Sequence, residues 1–389
     1  MFTLLLNTHL FSPENNGIKN ILICSGKIIY IGDDIPHLDP ILPRETLDLE
    51  GAIVIPGLID AHCHITGGGG ESGPSSRVPT PMLSQYTRAG VTSVVGVLGT
   101  DDLTRNTQTL VTQAYALREE GLSAWCYSGG YHLPLMTLTG SARSDIVNLD
   151  PVIGVGELAI SDHRSSQPTL DDILRVASET HVAGLMTGKA GILHIHLGDG
   201  SRGLDLIRQS LTVSELPARI FHPTHINRNK TLFDEGLKLV KEHNCTIDLT
   251  ASPDCDTDPG WSAAEGILRY HNTKLPNAQL TMSSDGGGCL PKFNKDGEIT
   301  SMHIGNSKIL LQTLAQLKEQ GICLEQTLPY VTTNIARVLR LKSKGELAVG
   351  MDADLCVCSN DLQVNYLMAK GVWHIKDNCQ HIAGTFENN

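Results

Sequence analysis

His62 and His64 close the stretch Gly51-Ala-Ile-Val-Ile-Pro-Gly-Leu-Ile-Asp60-Ala-His-Cys-His64. An apolar run that ends abruptly in Asp60, His62 and His64 reads as a buried strand whose C-terminal end opens onto chemistry. Strand side chains repeat with period two, so both histidines point to one side and can hold one metal ion. A lone H-x-H is weak, because such pairs more often make structural hydrogen bonds. Three further apolar runs close on His196, His225 and Asp285, and neutral imidazoles with a carboxylate suit zinc. The pattern points to a metal centre gathered from several strand ends.

Elements that could place these residues alternate along the middle of the chain. Candidate strands fall at 53–59, 92–98, 123–129, 152–158, 192–197, 219–224, 245–250 and 279–284. Helical stretches lie between them, such as Leu103 to Glu120, Leu170 to Val182, Gly203 to Leu211, Leu232 to His243 and Trp261 to Tyr270, with Ile309 to Gln320 after the last. This repeat predicts an α/β fold, a (β/α)8 TIM-like barrel over 53–343, in which functional residues gather at the C-terminal strand ends. An open doubly wound sheet is the competing architecture, but no G-x-G-x-x-G turn follows a first strand. The run Gly67 to Gly70 has the glycines without that spacing, and its simplest role is a loop that brings backbone amides near a ligand. Both ends of the chain are short, alternating and turn-bounded, so 1–52 plus 344–389 are expected to form a small β-sandwich domain.

Composition narrows the function. The chain has 389 residues, a formal net charge of -12 and 4% aromatic residues. With no Lys/Arg block, binding to nucleic acid or an anionic membrane through a basic surface is not expected. The ten cysteines sit mostly in apolar strands, as in Leu355-Cys-Val-Cys358, which suggests reduced thiols and a cytoplasmic setting. The N-terminus lacks the basic start and long apolar core of a secretory signal, and no run approaches a membrane span.

In its motifs the sequence resembles the isoaspartyl dipeptidases of the amidohydrolase superfamily, over essentially the whole chain. The matching segments are PGLIDAHCH, GGGGESGP, TRAGVTSVVGVLGTD, GGYHLP, AISDHRS, HIHLGDG, PTHINRN, TMSSDGGG and AVGMDADL. The resemblance implies cleavage of β-aspartyl dipeptides by a hydroxide that bridges two divalent metal ions, expected to be zinc. His62, His64 and Asp285 would hold the first ion, and His196 and His225 the second. The family places a carboxylated lysine between the metals, and this chain has Glu157 there, in Gly154-Val-Gly-Glu-Leu-Ala-Ile. Both groups offer a bidentate negative charge, but Glu is several atoms shorter. Gly154 and Gly156 could let the strand approach, so Glu157 is expected to bridge the ions directly.

Substrate contacts follow from the same resemblance. A β-aspartyl dipeptide carries two carboxylates and an amine, which call for guanidinium forks and an acid. Arg164 and Arg228 match the family's carboxylate-binding arginines, Glu71 matches the acid that receives the amine, and Thr100 and backbone groups of Gly69 would help place it. Tyr131 matches a tyrosine that polarises the scissile carbonyl, while the adjacent His132 reads as structural. Asp285 would also shuttle the proton from hydroxide to the leaving amine. Cys289 stands where the family has a substrate-contacting serine. A thiol is a weaker donor, and Cys289 has no poised histidine that would make it a nucleophile. A homo-oligomer is implied by the resemblance. Competing readings are a related amidohydrolase acting on cyclic amides, as a dihydropyrimidinase or dihydroorotase does, or on N-acyl amino acids, and a non-catalytic assembly protein.

Overall fold

The computed structural model describes residues 1–252, 260–293 and 298–387. Eight parallel strands run in chain order as Leu58–Cys63, Val91–Gly96, Ser123–Ser128, Val152–Ile160, Ile192–Leu197, Phe221–Thr224, Ile247–Thr250 and Leu280–Ser283. The first six pair sequentially into one curled parallel sheet, and the last two pair with each other. Two seams join these units. At one, Cys63 pairs in parallel with Gly286, just beyond the eighth strand. At the other, Thr224 Oγ1 donates to Asp248 Oδ2 at 2.8 Å and the Asn227 side chain bonds the backbone of Thr250.

Nearly every residue of these strands is buried, as expected when helices cover one face of a parallel sheet and side chains fill the other. That double burial is why the strands read as continuous apolar runs and why the few polar residues at their ends stand out. One expected strand, 53–59, is two. Ile53–Pro56 pairs with the terminal sheet, whereas Leu58–Cys63 enters the parallel sheet. Gly57 lies at the break, where an added Cβ would come within 2.3 Å of Thr92 Oγ1.

Helix boundaries follow their caps. The helix expected from Leu103 begins at Thr107, because Asp101 holds Thr104 in a turn and the Asn106 side chain accepts from Thr109 N. Likewise Ser262 caps Ala263–Asn272 with Glu265 closing the box, so Trp261 stays outside the helix. Leu170–Thr187 is longer than expected and ends at Gly188 in the left-handed region.

Both ends of the chain meet in one nine-stranded sheet. Its order runs from Cys379–Gln380 through Val372–Lys376, Val364–Ala369, Leu355–Cys358 and Ile53–Pro56 to Phe2–Phe11, Asn15–Cys24 and Lys27–Gly32, with Arg44–Asp48 beside Phe2–Phe11. It encloses a core of its own that includes Leu5, Ile21, Val54, Leu355 and Trp373. The described cysteines form no disulfide, and no described helix is long and apolar enough to cross a membrane.

The fourth strand is drawn tightly against the fifth. A Cβ on Gly154 would lie 2.5 Å from the Ile192 carbonyl oxygen, and one on Gly156 would lie 2.8 Å from His194 Cβ. These glycines therefore set the distance between neighbouring strands, a different role from the expected approach toward the metals. Gly154→Ala should lower stability by about 1–3 kcal/mol through overpacking, measured by chemical denaturation. Wild-type stability in that variant would mean that the two strands can part without cost.

Candidate active site

His62, His64, His196, His225 and Asp285 at the C-terminal ends of the first, fifth, sixth and eighth parallel strands cluster with Glu157, which lies within the fourth. Three overlapping groups, His62/His64/Glu157, His62/His225/Asp285 and Glu157/His196/His225, each keep their ligand atoms within 4.8 Å of one another. Glu157 is central. Its Oε1 lies 3.5 Å from both His62 Nε2 and His64 Nε2, while its Oε2 lies 3.0 Å from His196 Nδ1 and 3.5 Å from His225 Nε2. One carboxylate oxygen thus faces each histidine pair. Asp285 Oδ1 sits 3.1 Å from His64 Nε2 and 3.5 Å from His62 Nε2.

Local backbone aims two of these side chains. His225 and Asp285 both have positive φ, 62° and 53°, so the chain turns sharply just after the strand ends. His225 Nδ1 is held by Thr250 Oγ1 at 2.6 Å, which leaves Nε2 toward Glu157. The glycine run serves this turn: Gly68 N donates to the Gly287 carbonyl and Gly67 N to the His64 carbonyl. These two amides are occupied by the protein, contrary to the expectation that the loop offers its amides to a ligand. Gly69, by contrast, does line the cleft.

The residues fit divalent cations. His62 Nε2 and Asp285 Oδ1 are buried and make no hydrogen bond among the described residues, an arrangement that costs free energy unless a cation meets them. Burial opposes protonation of His62, yet the charges of Glu157 and Asp285 outweigh it and hold its pKa well above the ordinary imidazole range. Burial lowers His225 to about 4, with His196 and His62 adding to the effect. Burial also disfavours the Glu157 carboxylate, but His62 and His196 reverse the balance and hold its pKa well below the usual range. Carboxylates and imidazoles gathered this closely are a donor set for a cation, which displaces the ring protons as it binds.

His64, Glu157, His196, His225 and Asp285 of this cluster form the floor of a cleft of about 240 Å³, with His62 beneath them. Gly69, Glu71, Thr100, Tyr131, Arg164 and Arg228 all line it, as does Cys289. Thr100 Oγ1 donates to Glu71 Oε1 at 3.0 Å, and Arg164 Nη1 lies 3.4 Å from the same oxygen. Tyr131 Oη is 2.8 Å from His196 Nδ1, and its ring lies under the Arg164 guanidinium. His132 bonds Asp102 and the Arg164 carbonyl, a structural role. Burial, with Glu71 and Asp285 nearby, pushes the Cys289 thiol up to about 11, which leaves little thiolate at neutral pH.

Two acids here escaped the sequence reading. Asp162, inside the SDHRS segment, lies 3.0 Å from His196 Nε2 and 2.8 Å from Arg164 Nη2, so it orients a candidate ligand and a candidate substrate arginine together. Asp199, in HLGDG, receives Arg228 Nε and Nη2 at 3.2 and 3.1 Å. Asp162 follows the strand that carries Glu157 and Asp199 the strand that carries His196, and that shared position after a ligand-bearing strand was the available signal. Thr250, Trp261 and His303 also line the cleft.

An α/β structure of this kind, with imidazoles and carboxylates converging at the ends of parallel strands, defines a hydrolase with groups able to hold metal. The amidohydrolase family profile matches residues 165–374, and the chain belongs to that family. Among solved structures, the β-aspartyl dipeptidase of Fervidobacterium islandicum AW-1 in complex with β-Asp-Leu dipeptide is 39% identical, with a TM-score of 0.93 over 98% of this chain and 97% of that one. Imidazolonepropionase of Ruegeria sp. (strain TM1040) is 25% identical over 87% of this chain and 85% of its own length. Dihydropyrimidinase of Brevibacillus agri NCHU1002 shares the fold, at 15% identity and a TM-score of 0.65 over 99% of this chain and 97% of that one.

Asp162→Asn removes the charge that orients His196, and affinity for a divalent cation should fall about 10–100-fold in chelator competition. Unaltered affinity would mean that His196 is held without it.

Proposed function

We propose that this chain hydrolyses the β-aspartyl bond of dipeptides at a two-cation centre. The observation that carries the reading is Glu71: its Oε2 is buried in the wall of the cleft and makes no hydrogen bond among the described residues. A substrate ammonium would satisfy it. Arg164 and Arg228 line the same cleft and suit the two carboxylates of such a dipeptide. Arg228 commits three of its five N–H groups to Asp199 and the Leu197 carbonyl, so it is held in place with donors left over. The 39% identical β-aspartyl dipeptidase in complex with β-Asp-Leu supports the same substrate class.

His62, His64 and Asp285 would hold one cation and His196 and His225 the other, with the Glu157 carboxylate between them in the place of a carboxylated lysine. Two divalent cations held there, zinc by the donor set, would supply a water acidic enough to attack near neutral pH and would polarise the scissile carbonyl. Glu71 and Arg164 orient the substrate, with Thr100 steadying Glu71. Tyr131 donates its phenolic hydrogen to the oxyanion as the carbonyl becomes tetrahedral. Asp285 takes a proton from the attacking water and delivers it to the amine as the C–N bond breaks, leaving a free aspartate and the second amino acid. In this reading the eight parallel strands close as a (β/α)8 barrel, with 53–343 as the catalytic unit. Residues 1–52 plus 344–389 form the β unit, folded as a sandwich, and Ile53–Pro56 makes the handover between the two.

A second reading, imidazolonepropionase activity, is favoured by the curated relative that aligns over most of the chain. A panel on zinc-loaded enzyme separates the two: β-Asp-Leu, α-Asp-Leu, imidazolonepropionate and a dihydropyrimidine. Turnover confined to the β-linked peptide is expected, and turnover of the ring compounds alone would overturn the proposal. Asp285→Asn should lower kcat by about 100-fold or more. A wild-type kcat in that variant with metal bound would remove Asp285 from proton transfer.

A further inference from the structure

Beneath the histidine–carboxylate cluster, a chain of hydrogen bonds crosses the interior of the parallel sheet. His62 Nδ1 lies 2.8 Å from His194 Nε2, His194 Nδ1 lies 3.0 Å from His222 Nδ1, and His222 Nε2 lies 3.0 Å from Thr281 Oγ1. Thr281 Oγ1 in turn donates to Asp248 Oδ1 at 2.6 Å. The other carboxylate oxygen, Oδ2, accepts from Thr224 Oγ1 at 2.8 Å and Ser283 Oγ at 2.5 Å. His62, His194, Thr281 and Asp248 have no exposed surface and His222 has 1%. Neither His194, His222 nor Asp248 lines the cleft, so the chain lies apart from the substrate.

A neutral imidazole carries one N–H and one lone pair, so the direction of one hydrogen bond dictates the next. Asp248 ends the chain with a carboxylate, which can only accept. The single hydroxyl proton of Thr281 therefore goes to Asp248, and the Thr281 oxygen accepts from His222 Nε2–H. His222 Nδ1 is then bare and accepts from His194 Nδ1–H. By the same step His194 Nε2 accepts from His62 Nδ1–H, so in the neutral ring that a cation requires the lone pair falls on His62 Nε2. That nitrogen is the one within 3.5 Å of Glu157 Oε1 and Asp285 Oδ1 and without a hydrogen bond among the described residues. Run in the opposite direction, the chain would put a proton on His62 Nε2 and block a cation. Tyr127 stacks on His194 with ring centroids 5.1 Å apart and planes 24° apart, which keeps the middle imidazole in line.

We propose that Asp248, acting through Thr281, His222 and His194, is a positioning residue that holds His62 in the tautomer able to ligate a cation. The proposal rests on the metal reading above and adds to it what fixes one ligand from more than three residues away.

The test uses the full chain labelled with ¹⁵N-histidine and loaded with zinc. Wild type should show His222 protonated at Nε2 and His194 at Nδ1, and the reverse pair of tautomers with zinc bound would overturn the relay alone. Wild type that takes up no zinc would overturn the metal reading and the relay's purpose with it. In Asp248→Asn, Thr224 and Ser283 still donate to the remaining oxygen, so the new amide nitrogen faces Thr281 and donates to it. The tautomers should then reverse and zinc affinity should drop about 10–100-fold in chelator competition. Thr224→Val removes a hydroxyl from the same carboxylate without breaking the relay and should keep both tautomers and affinity. Equal losses in the two variants would reduce Asp248 to a structural role and overturn the proposal. If Asp248→Asn does not fold, Thr281→Val should lose affinity and Thr281→Ser should retain it. Wild-type affinity in Thr281→Val would overturn the relay.

Discussion

The structure depends on one carboxylate shared between two histidine pairs. Glu157 presents Oε1 to His62 and His64 and Oε2 to His196 and His225, so four imidazoles from three strands converge on one side chain. A buried anion of this kind is tolerated only when positive or hydrogen-bonding partners surround it. The partners here arrive from the first, fifth and sixth strands, and the fourth strand must therefore hold Glu157 at the centre of their arc. Tight packing at Gly154 and Gly156 fixes that strand against its neighbour. Backbone geometry and charge placement thus solve the same problem.

Around that carboxylate, the candidate ligands have partners on their far sides. His225 is held by Thr250, His196 by Asp162, and His62 by His194. Asp162 also grips Arg164, and Arg164 reaches Glu71, so the floor of the cleft and its substrate-facing wall form one polar network. Rigid placement of this sort lowers the cost of gathering ligands when a cation or substrate arrives. The cleft is organised by hydrogen bonds between neighbouring strand ends rather than by its loops alone.

The chemistry of the floor was legible in the sequence because apolar strands make their polar termini conspicuous. His62, His64, His196, His225 and Asp285 each end such a run, and the structure brings them together with Glu157. Elements were legible where burial imposes a period, and boundaries less so where a cap decides them, as at Asn106 and Ser262. The split at Gly57 was hidden because both halves of 53–59 are apolar, one facing the terminal sheet and the other the parallel sheet. Asp162 and Asp199 were hidden for a different reason. A single acid after a strand has many possible partners, and only the fold reveals that each meets an arginine. His194 and His222 occupy strand interiors, where alternation predicts burial but says nothing of a hydrogen-bonded file across three strands.

The terminal sheet has a consequence for synthesis. Phe2–Phe11 finds its neighbours Asn15–Cys24, Arg44–Asp48 and Ile53–Pro56 soon after it is made. The outer side of Ile53–Pro56 must wait for Leu355–Cys358, which is translated only after all eight parallel strands. Without that partner the edge of Ile53–Pro56 is of the kind that templates association between chains. The terminal sheet can therefore be finished only when Leu355–Cys358 and the three strands after it have been made, so the order of synthesis separates its two halves.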